Sequence, residues 1–281
     1  MTVAVLLAAG CGSSSKKGSS NSTDATSAAI PEVTFTATDY KFTVPPSIPS
    51  GLVKVTLKND GTAPEGHQLN LIKLGSTTLN ELKARVAKVD VKGLPESTVF
   101  VGGPNGVDAG KSGSAIVDLE PGDYAAVCFI PDAKGRSHAS LGMFEKVTVT
   151  ASADPVTKID TAGSITLSDF TFVFPKPFSG SGTFEVKNVG VQLHELGIVQ
   201  ILPGKTFDDV KKMLFSTSPP AGPPPFQSVI GLTGLSHDAH AYLPMDLAPG
   251  NYVAVCFFPD VNKNGLPHAI VDNMIQEFTV G

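Results

Sequence analysis

Short runs in which apolar and polar residues alternate, broken by Gly, Pro, Asn and Asp, recur along most of the chain. That is the pattern of half-buried strands and turns. Val33-Thr34-Phe35-Thr36-Ala37-Thr38-Asp39-Tyr40-Lys41-Phe42 reads as one such strand, and Ile165 to Phe172 repeats it. Val55-Thr56-Leu57 runs into the turn Asn59-Asp60-Gly61, matched by Phe184-Glu185-Val186 and Asn188-Val189-Gly190. Strands carrying a histidine follow, His67 to Leu71 and His194 to Ile198. Each copy then shows one helical signal. Thr78 and Thr206 stand three residues before Glu81 and Asp209, as at a helix N-terminus, ahead of Leu82/Val86 and Val210/Leu214 at helical spacing. Leu119 to Phe129 aligns with Leu247 to Phe257 without a gap.

The chain is therefore an internal repeat, with domains over 30–151 and 156–281 and a boundary at Ala151 to Pro155. About 120 residues of short strands and regular turns per unit predict an all-β fold of two tandem Greek-key β-sandwiches, each with a short helical insertion. Because each copy carries a complete strand set, each is expected to fold by itself. Composition supports two cores, with 41% hydrophobic residues in 281. A net charge of −5 without a basic run excludes nucleic acid as a partner and an electrostatic membrane-binding face.

The N-terminus reads as an address. Val3 to Ala9 is too short to span a bilayer, which needs roughly 20 apolar residues. Leu7-Ala8-Ala9-Gly10-Cys11 resembles a bacterial lipobox, and a Ser/Gly/Lys-rich spacer from Gly12 to Ser27 follows. The resemblance implies a leader over 1–11, a tether over 12–29, and lipidation of Cys11. The mature protein would then be extracytoplasmic and lipid-anchored to a bacterial cell membrane. No Lys or Arg precedes the apolar run, so the true start is expected to lie upstream.

The chain has three cysteines, and two of them, Cys128 and Cys256, occupy the same position in each repeat. Equivalent residues of two intact domains are poorly placed for a disulfide, and a thiol kept free in an oxidising compartment implies a role such as metal ligation. Each cysteine is followed by a histidine and then a methionine: His138 and Met143 in the first copy, His268 and Met274 in the second. With His67 or His194, each repeat owns one thiolate, two imidazoles and one thioether. That is the donor set of a blue-copper site, a His₂Cys plane with a weak axial Met.

Pro121-Gly122-Asp123-Tyr124 up to Cys128, then His138, Gly142-Met143 and the closing Lys146-Val147-Thr148-Val149, resembles the copper loop of plastocyanins and related cupredoxins. Asn59-Asp60-Gly61 ahead of His67 is similar to their turn before the first histidine ligand. The resemblance implies cupredoxin-like sandwiches in which His67, Cys128, His138 and Met143 hold one copper, and His194, Cys256, His268 and Met274 another. The sequence departs from the family between Cys and the second His, where nine and eleven residues intervene instead of a few. The loop either closes back to deliver the histidine or leaves it on the surface. The second copy has one more residue between His and Met, which is expected to displace Met274 and make the first site at least as good a copper binder as the second.

The function expected is a membrane-anchored copper protein, not an enzyme, passing single electrons between redox partner proteins of the cell envelope through one or two type 1-like copper ions. The alternatives are a metal-free cupredoxin-like binding module, with Cys and Met as ordinary core residues, and a copper storage or delivery protein. His-x-His pairs are lacking, which weighs against oxidase chemistry. Asp260 to Gly265 resembles the opening of a calcium loop, but Val271 stands where its bidentate Glu belongs, so an Asn/Gly turn is expected. His237 and His240 have no counterpart in the first repeat and read as surface residues. Replacing Cys11 with Ser is expected to move the protein from the membrane to the soluble fraction. A Cys11→Ser protein that stays membrane-bound with its leader intact would refute the lipid anchor.

Overall fold

The structure is a computed structural model that describes residues 29–86, 91–216 and 222–281. The leader, Cys11 and the Gly12–Ser27 spacer lie outside the described residues, as do Pro219 to Ala221. The first repeat supplies β1 (Glu32–Thr38), β2 (Lys41–Thr43), β3 (Ile48–Pro49), β4 (Gly51–Asn59), β5 (Asn70–Lys73), helix α1 (Leu79–Val86), β6 (Val99–Gly102), β7 (Ser112–Leu119), β8 (Gly122–Val127) and β9 (Phe144–Thr150). The second supplies β10 (Gly163–Ser168), β11 (Thr171–Val173), β12 (Ser181–Asn188), β13 (His194–Ile201), helix α2 (Phe207–Leu214), β14 (Phe226–Leu235), β15 (His240–Asp246), β16 (Gly250–Val255) and β17 (Ile275–Val280). The fold is all-β, in two sheets, and among the described residues no helix is long and apolar enough to cross a membrane.

Local chemistry accounts for most of these elements. In β1 the side chains of Phe35 and Ala37 are buried between more exposed threonines, as the alternation requires. Both helices begin on reciprocal caps: Glu81 and Asp209 N–H groups donate to the Thr78 and Thr206 hydroxyls, and the carboxylates accept from the threonine N–H groups. One expectation is corrected. The run from Val33 to Phe42 is not one strand but a hairpin, with β1 and β2 antiparallel around Asp39 and Tyr40. The Asp39 carboxylate accepts the N–H groups of Thr62 and Ala63, and Tyr40 turns the chain at φ 61°. The second repeat also makes a hairpin here, with β10 and β11 antiparallel and the Asp169 carboxylate accepting the Val191 and Gln192 N–H groups, but Phe170 lacks the positive φ of Tyr40 and the Asp169–Phe170 peptide bond is cis.

One sheet runs β11-β10-β12-β15-β7-β4-β1-β2, the other β17-β16-β13-β14-β6-β5-β8-β9-β3. Apart from the small edge strand β3, each order is a palindrome. Equivalent strands of the two repeats meet antiparallel at its centre, β15 against β7 and β14 against β6. The repeats therefore share both sheets. They also share a core, in which Phe100 lies 6.2 Å from Phe129 and 5.7 Å from Phe258, beside Leu232, Leu235 and Ala241. Polar bonds stitch the same seam: Thr233 N–H to Gly103 O (2.9 Å), Thr233 hydroxyl to Leu69 O (3.1 Å) and Gly234 N–H to the Asn70 side-chain oxygen (3.2 Å).

A seam built from equivalent strands can be reproduced by two copies of one repeat. Residues 30–151 produced alone are expected to fold into a β-rich domain that pairs with itself through β6 and β7, because these edges are otherwise bare. Sedimentation equilibrium checks this; a stable monomer at tens of micromolar would show that the seam needs the second repeat's own side chains.

Candidate metal centres

Each centre starts from a strand whose last four residues are buried. In β8, Tyr124, Ala125, Ala126 and Val127 are all within the core, and the Tyr124 hydroxyl is tied to Glu120 O at 3.0 Å. Tyr252 does the same for β16, with Ala248 O at 2.7 Å. These strands deliver Cys128 and Cys256, both free thiols with no exposed surface. The main chain then encloses each sulfur. Gln68 N–H donates to Cys128 Sγ at 3.5 Å and Glu195 N–H to Cys256 Sγ at 3.4 Å, so the residue after each first histidine contacts the thiol. His194 opens β13, whereas His67 precedes β5 and is held by a bridge to Val107.

The long Cys-to-His loops close back on themselves. In the first, Ala139 N–H bonds Cys128 O at 2.8 Å and His138 N–H bonds Ile130 O at 2.9 Å, with Pro131 bridged to Ser137. Asp132 fastens the excursion by accepting the Lys134 and Arg136 N–H groups and pairing with the Arg136 guanidinium, which holds its carboxyl down at about 2. In the second, Ala269 N–H bonds Cys256 O at 2.8 Å and His268 N–H bonds Phe258 O at 2.9 Å. Asp260 closes that excursion by accepting the Asn262 N–H at 2.7 Å. Extra residues therefore bulge outward and both histidines return to their cysteines, because the closing main-chain bonds do not depend on how much chain lies between them.

The main chain of Met274 is not displaced by the additional residue. Met143 N–H bonds His138 O and Cys128 N–H bonds Met143 O, at 2.9 and 3.3 Å; Met274 repeats both bonds with His268 and Cys256 at 3.1 and 3.2 Å. The additional residue is absorbed in a turn of helix over His268–Val271 followed by Asn273 at φ 54°, where the first repeat has a tighter turn over His138–Leu141 ending in Gly142 at φ 115°. Both methionines are fully buried.

The structure thus gathers His67, Cys128 and His138 into one group and His194, Cys256 and His268 into another, with the donor atoms of each within 4.8 Å of one another. Cys128 Sγ lies 3.5 Å from His138 Nδ1, and Cys256 Sγ lies 3.5 Å from His268 Nδ1 and 3.9 Å from His194 Nδ1. The Nδ1 atoms of His67 and His138 are 3.1 Å apart. Burial pushes the Cys128 thiol up to about 12 and raises Cys256 as well, since a thiolate without a cation is costly in the core. Burial also lowers all four histidines, His268 to about 4 with help from the neighbouring His194, so each ring is neutral near pH 7. Neutral imidazole nitrogens facing a thiol form a set that a thiophilic cation completes by supplying the charge the thiolate needs.

Residues outside the expected set shape both centres. Asp169 accepts from His194 Nε2 at 2.7 Å, and Gln192 Oε1 lies 3.3 Å from His268 Nε2. Tyr40 and Phe170 pack against the second histidine of each repeat, both at 4.9 Å between ring centroids. Gly61 and Gly190 permit the approach of acid and ring: a Cβ at Gly61 would lie 2.5 Å from Asp39 Oδ1 and 3.0 Å from His67 Nε2, and one at Gly190 would lie 2.4 and 2.9 Å from the matching atoms. The aligned Asp39-Tyr40 and Asp169-Phe170 pairs were the available signal, hidden because the surrounding alternation reads as continuous strand.

The remaining candidates lie apart from these groups or add no centre. Asp260, Asp272 and His268 cluster, but the Lys263 ammonium sits on Asp272 and within 4.0 Å of Asp260, in the place a cation would take. The Asp260–Gly265 stretch is the expected turn. His237 is half-exposed and bonded to Gly190 O, and His240 packs on Tyr242.

No family model and no curated protein matches the chain. Among solved structures, auracyanin from the photosynthetic bacterium Roseiflexus castenholzii is 19% identical over 43% of this chain and 98% of that one, with a TM-score of 0.31. Auracyanin A, a blue copper protein of Chloroflexus aurantiacus, is 15% identical over 43% of this chain and all of that one, with a TM-score of 0.32. An azurin of Methylomonas sp. strain J is 16% identical over 43% and 99%, with a TM-score of 0.30. A likeness of this degree assigns neither ligand nor activity to the chain.

Asp132→Ala removes the clasp of the first loop while leaving every donor atom in place. His138 is expected to become reactive toward diethyl pyrocarbonate in the metal-free protein, with His268 still protected. Unchanged protection of His138 would show that the main-chain bonds alone hold the loop.

Proposed function

We propose that the chain is a one-electron carrier with two blue-copper-type sites, His67, Cys128, His138 and Met143 in one and His194, Cys256, His268 and Met274 in the other. The observation that carries this reading is the recurrence, twice, of a buried thiol with one nitrogen of each of two buried imidazoles within 4.8 Å. Copper bound there would exchange between its two common oxidation states. The protein's part is to hold the donors in one arrangement for both. The fully buried rings, the thiol that accepts a main-chain N–H, and the main-chain bonds at each methionine resist rearrangement. Low reorganisation favours electron transfer.

The same burial favours a carrier over storage or delivery, because an ion handed to another protein must first meet a ligand from outside. The histidines, cysteines and methionines of both sets have no exposed surface. We further propose that Cys11 anchors the mature chain outside the cytoplasm by its lipid, and that its partners are redox proteins of the cell envelope. The lipobox-like run and the spacer support this.

The purified chain titrated with Cu²⁺ is expected to bind two ions and develop intense thiolate-to-copper absorbance in the visible. Cys128→Ser and Cys256→Ser should each remove about half of that colour, and the double variant all of it. A colourless wild type, or a double variant that keeps its colour, would overturn the reading.

A further inference from the structure

The two sets of donors are the same, but their surroundings are not. In the second repeat both rings are set by an acceptor on the far nitrogen: His194 Nε2 against Asp169 Oδ1 at 2.7 Å, and His268 Nε2 against Gln192 Oε1 at 3.3 Å. Gln192 is itself held, donating to Asp260 Oδ1 at 3.1 Å and accepting from Val261 N–H at 3.1 Å. A proton fixed on Nε2 leaves the Nδ1 lone pair free beside Cys256.

In the first repeat neither outer nitrogen has such a partner. Asp39, the counterpart of Asp169, stands 3.9 Å from His67 Nε2. Its carboxylate is taken by the Thr62 N–H and hydroxyl, at 2.7 and 2.6 Å, and by the Ala63 N–H at 3.0 Å. Both turn N–H groups of the first repeat fall on Oδ1, the oxygen that faces His67, with the Thr62 hydroxyl on Oδ2. The second repeat has Val191 in place of Thr62, with no hydroxyl, and its N–H goes to Asp169 Oδ2, so that Oδ1 accepts only the Gln192 N–H, at 3.3 Å, beside the ring. His138 Nε2 is buried and meets no hydrogen-bond partner among the described residues. The rings instead approach each other, Nδ1 to Nδ1 at 3.1 Å, a contact that is attractive only if one of those nitrogens carries a proton.

We infer that the two sites are unequal: Asp169, acting through His194, makes the second repeat the tighter metal site and the one of lower redox potential. A carboxylate accepting from the far side of a ligating imidazole raises its basicity, which favours metal binding and the more oxidised ion. Asp169 is a positioning residue. The inference rests on the metal-binding reading above and reverses the ranking expected from loop lengths.

Two single-site proteins test it, Cys128→Ser retaining the second site and Cys256→Ser the first. In competition titrations with Zn²⁺, the second site is expected to bind about 10–100-fold more tightly than the first. Asp169→Asn in the Cys128→Ser protein should remove most of that advantage, since Asn keeps the size and one acceptor oxygen of the acid but not its charge. With Cu²⁺ bound, the midpoint potential of the second site should lie below that of the first and rise on Asp169→Asn, which a purely structural role would not produce. Equal or reversed Zn²⁺ affinities, or an Asp169→Asn protein with unchanged affinity and potential, would overturn the inference. Ordered Zn²⁺ binding without copper colour would leave it standing and sink the electron-carrier reading. Failure to bind either ion would sink both.

Discussion

A thiol and two imidazoles removed from water lose the solvation of every polar atom they carry, and the interior must replace it. Here the replacement is mostly main chain. Main-chain N–H groups reach each sulfur, from Gln68 and Ile130 in one repeat and Glu195 and Phe258 in the other. The carbonyl of each cysteine accepts from the residue after the second histidine, and each methionine is bonded to both cysteine and histidine backbone. These bonds define the positions of three donors at once, so everything between them can vary. Excursions of nine and eleven residues, a tight turn in one repeat and a helical turn in the other, end on the same contacts. What remains uncompensated is the outer nitrogen of His67 and of His138, and charge, because a thiolate in this setting is unfavourable without a cation, and burial raises both cysteines accordingly.

The duplication adds a second constraint. Equivalent strands meet at the seam, so each repeat covers the sheet edges that the other would leave open, which is one way sheets avoid uncontrolled pairing. Both centres then hang from a single core. Gln68 and its neighbours Leu69 and Asn70 leave the first centre and are bonded within two residues to Thr233 and Gly234, on the strand that pairs with His194. A shift of the seam would be felt at the first histidine of both sets.

Much of this was legible in the sequence. The repeat, the all-β class, the capped helices and the paired Cys, His and Met positions follow from periodicity and residue chemistry, because those signals are local. The turn at Asp39 and Tyr40 was hidden: its flanking residues keep the alternation of a strand, and the acid's partners, Thr62 and Ala63, lie more than twenty residues away. The return of His138 and His268 could not be read from loop length, because closure depends on main-chain bonds to Ile130 and Phe258 that leave no side-chain signature. The backbone of Met274 keeps its place for a related reason. Counting residues treats a turn as rigid, whereas one residue in the left-handed region, Asn273, takes up the difference. The seam was out of reach, since strand order across repeats is a tertiary choice.

Identical donors need not make identical sites. Thr62 against Val191 is an ordinary surface substitution by sequence, yet the hydroxyl it adds or removes goes with how many turn N–H groups crowd the carboxylate oxygen that faces the ligand. Gln192 fixes one ring in the second repeat, while the corresponding ring of the first leans on its own partner. Divergence has therefore gathered around the donor sets and left the sets themselves untouched. That is where change is tolerable: replacing a donor removes a site, but changing what a donor leans on only moves its basicity and its readiness to bind. A duplicated chain that keeps both sets and alters their supports obtains two centres of unlike strength from one arrangement.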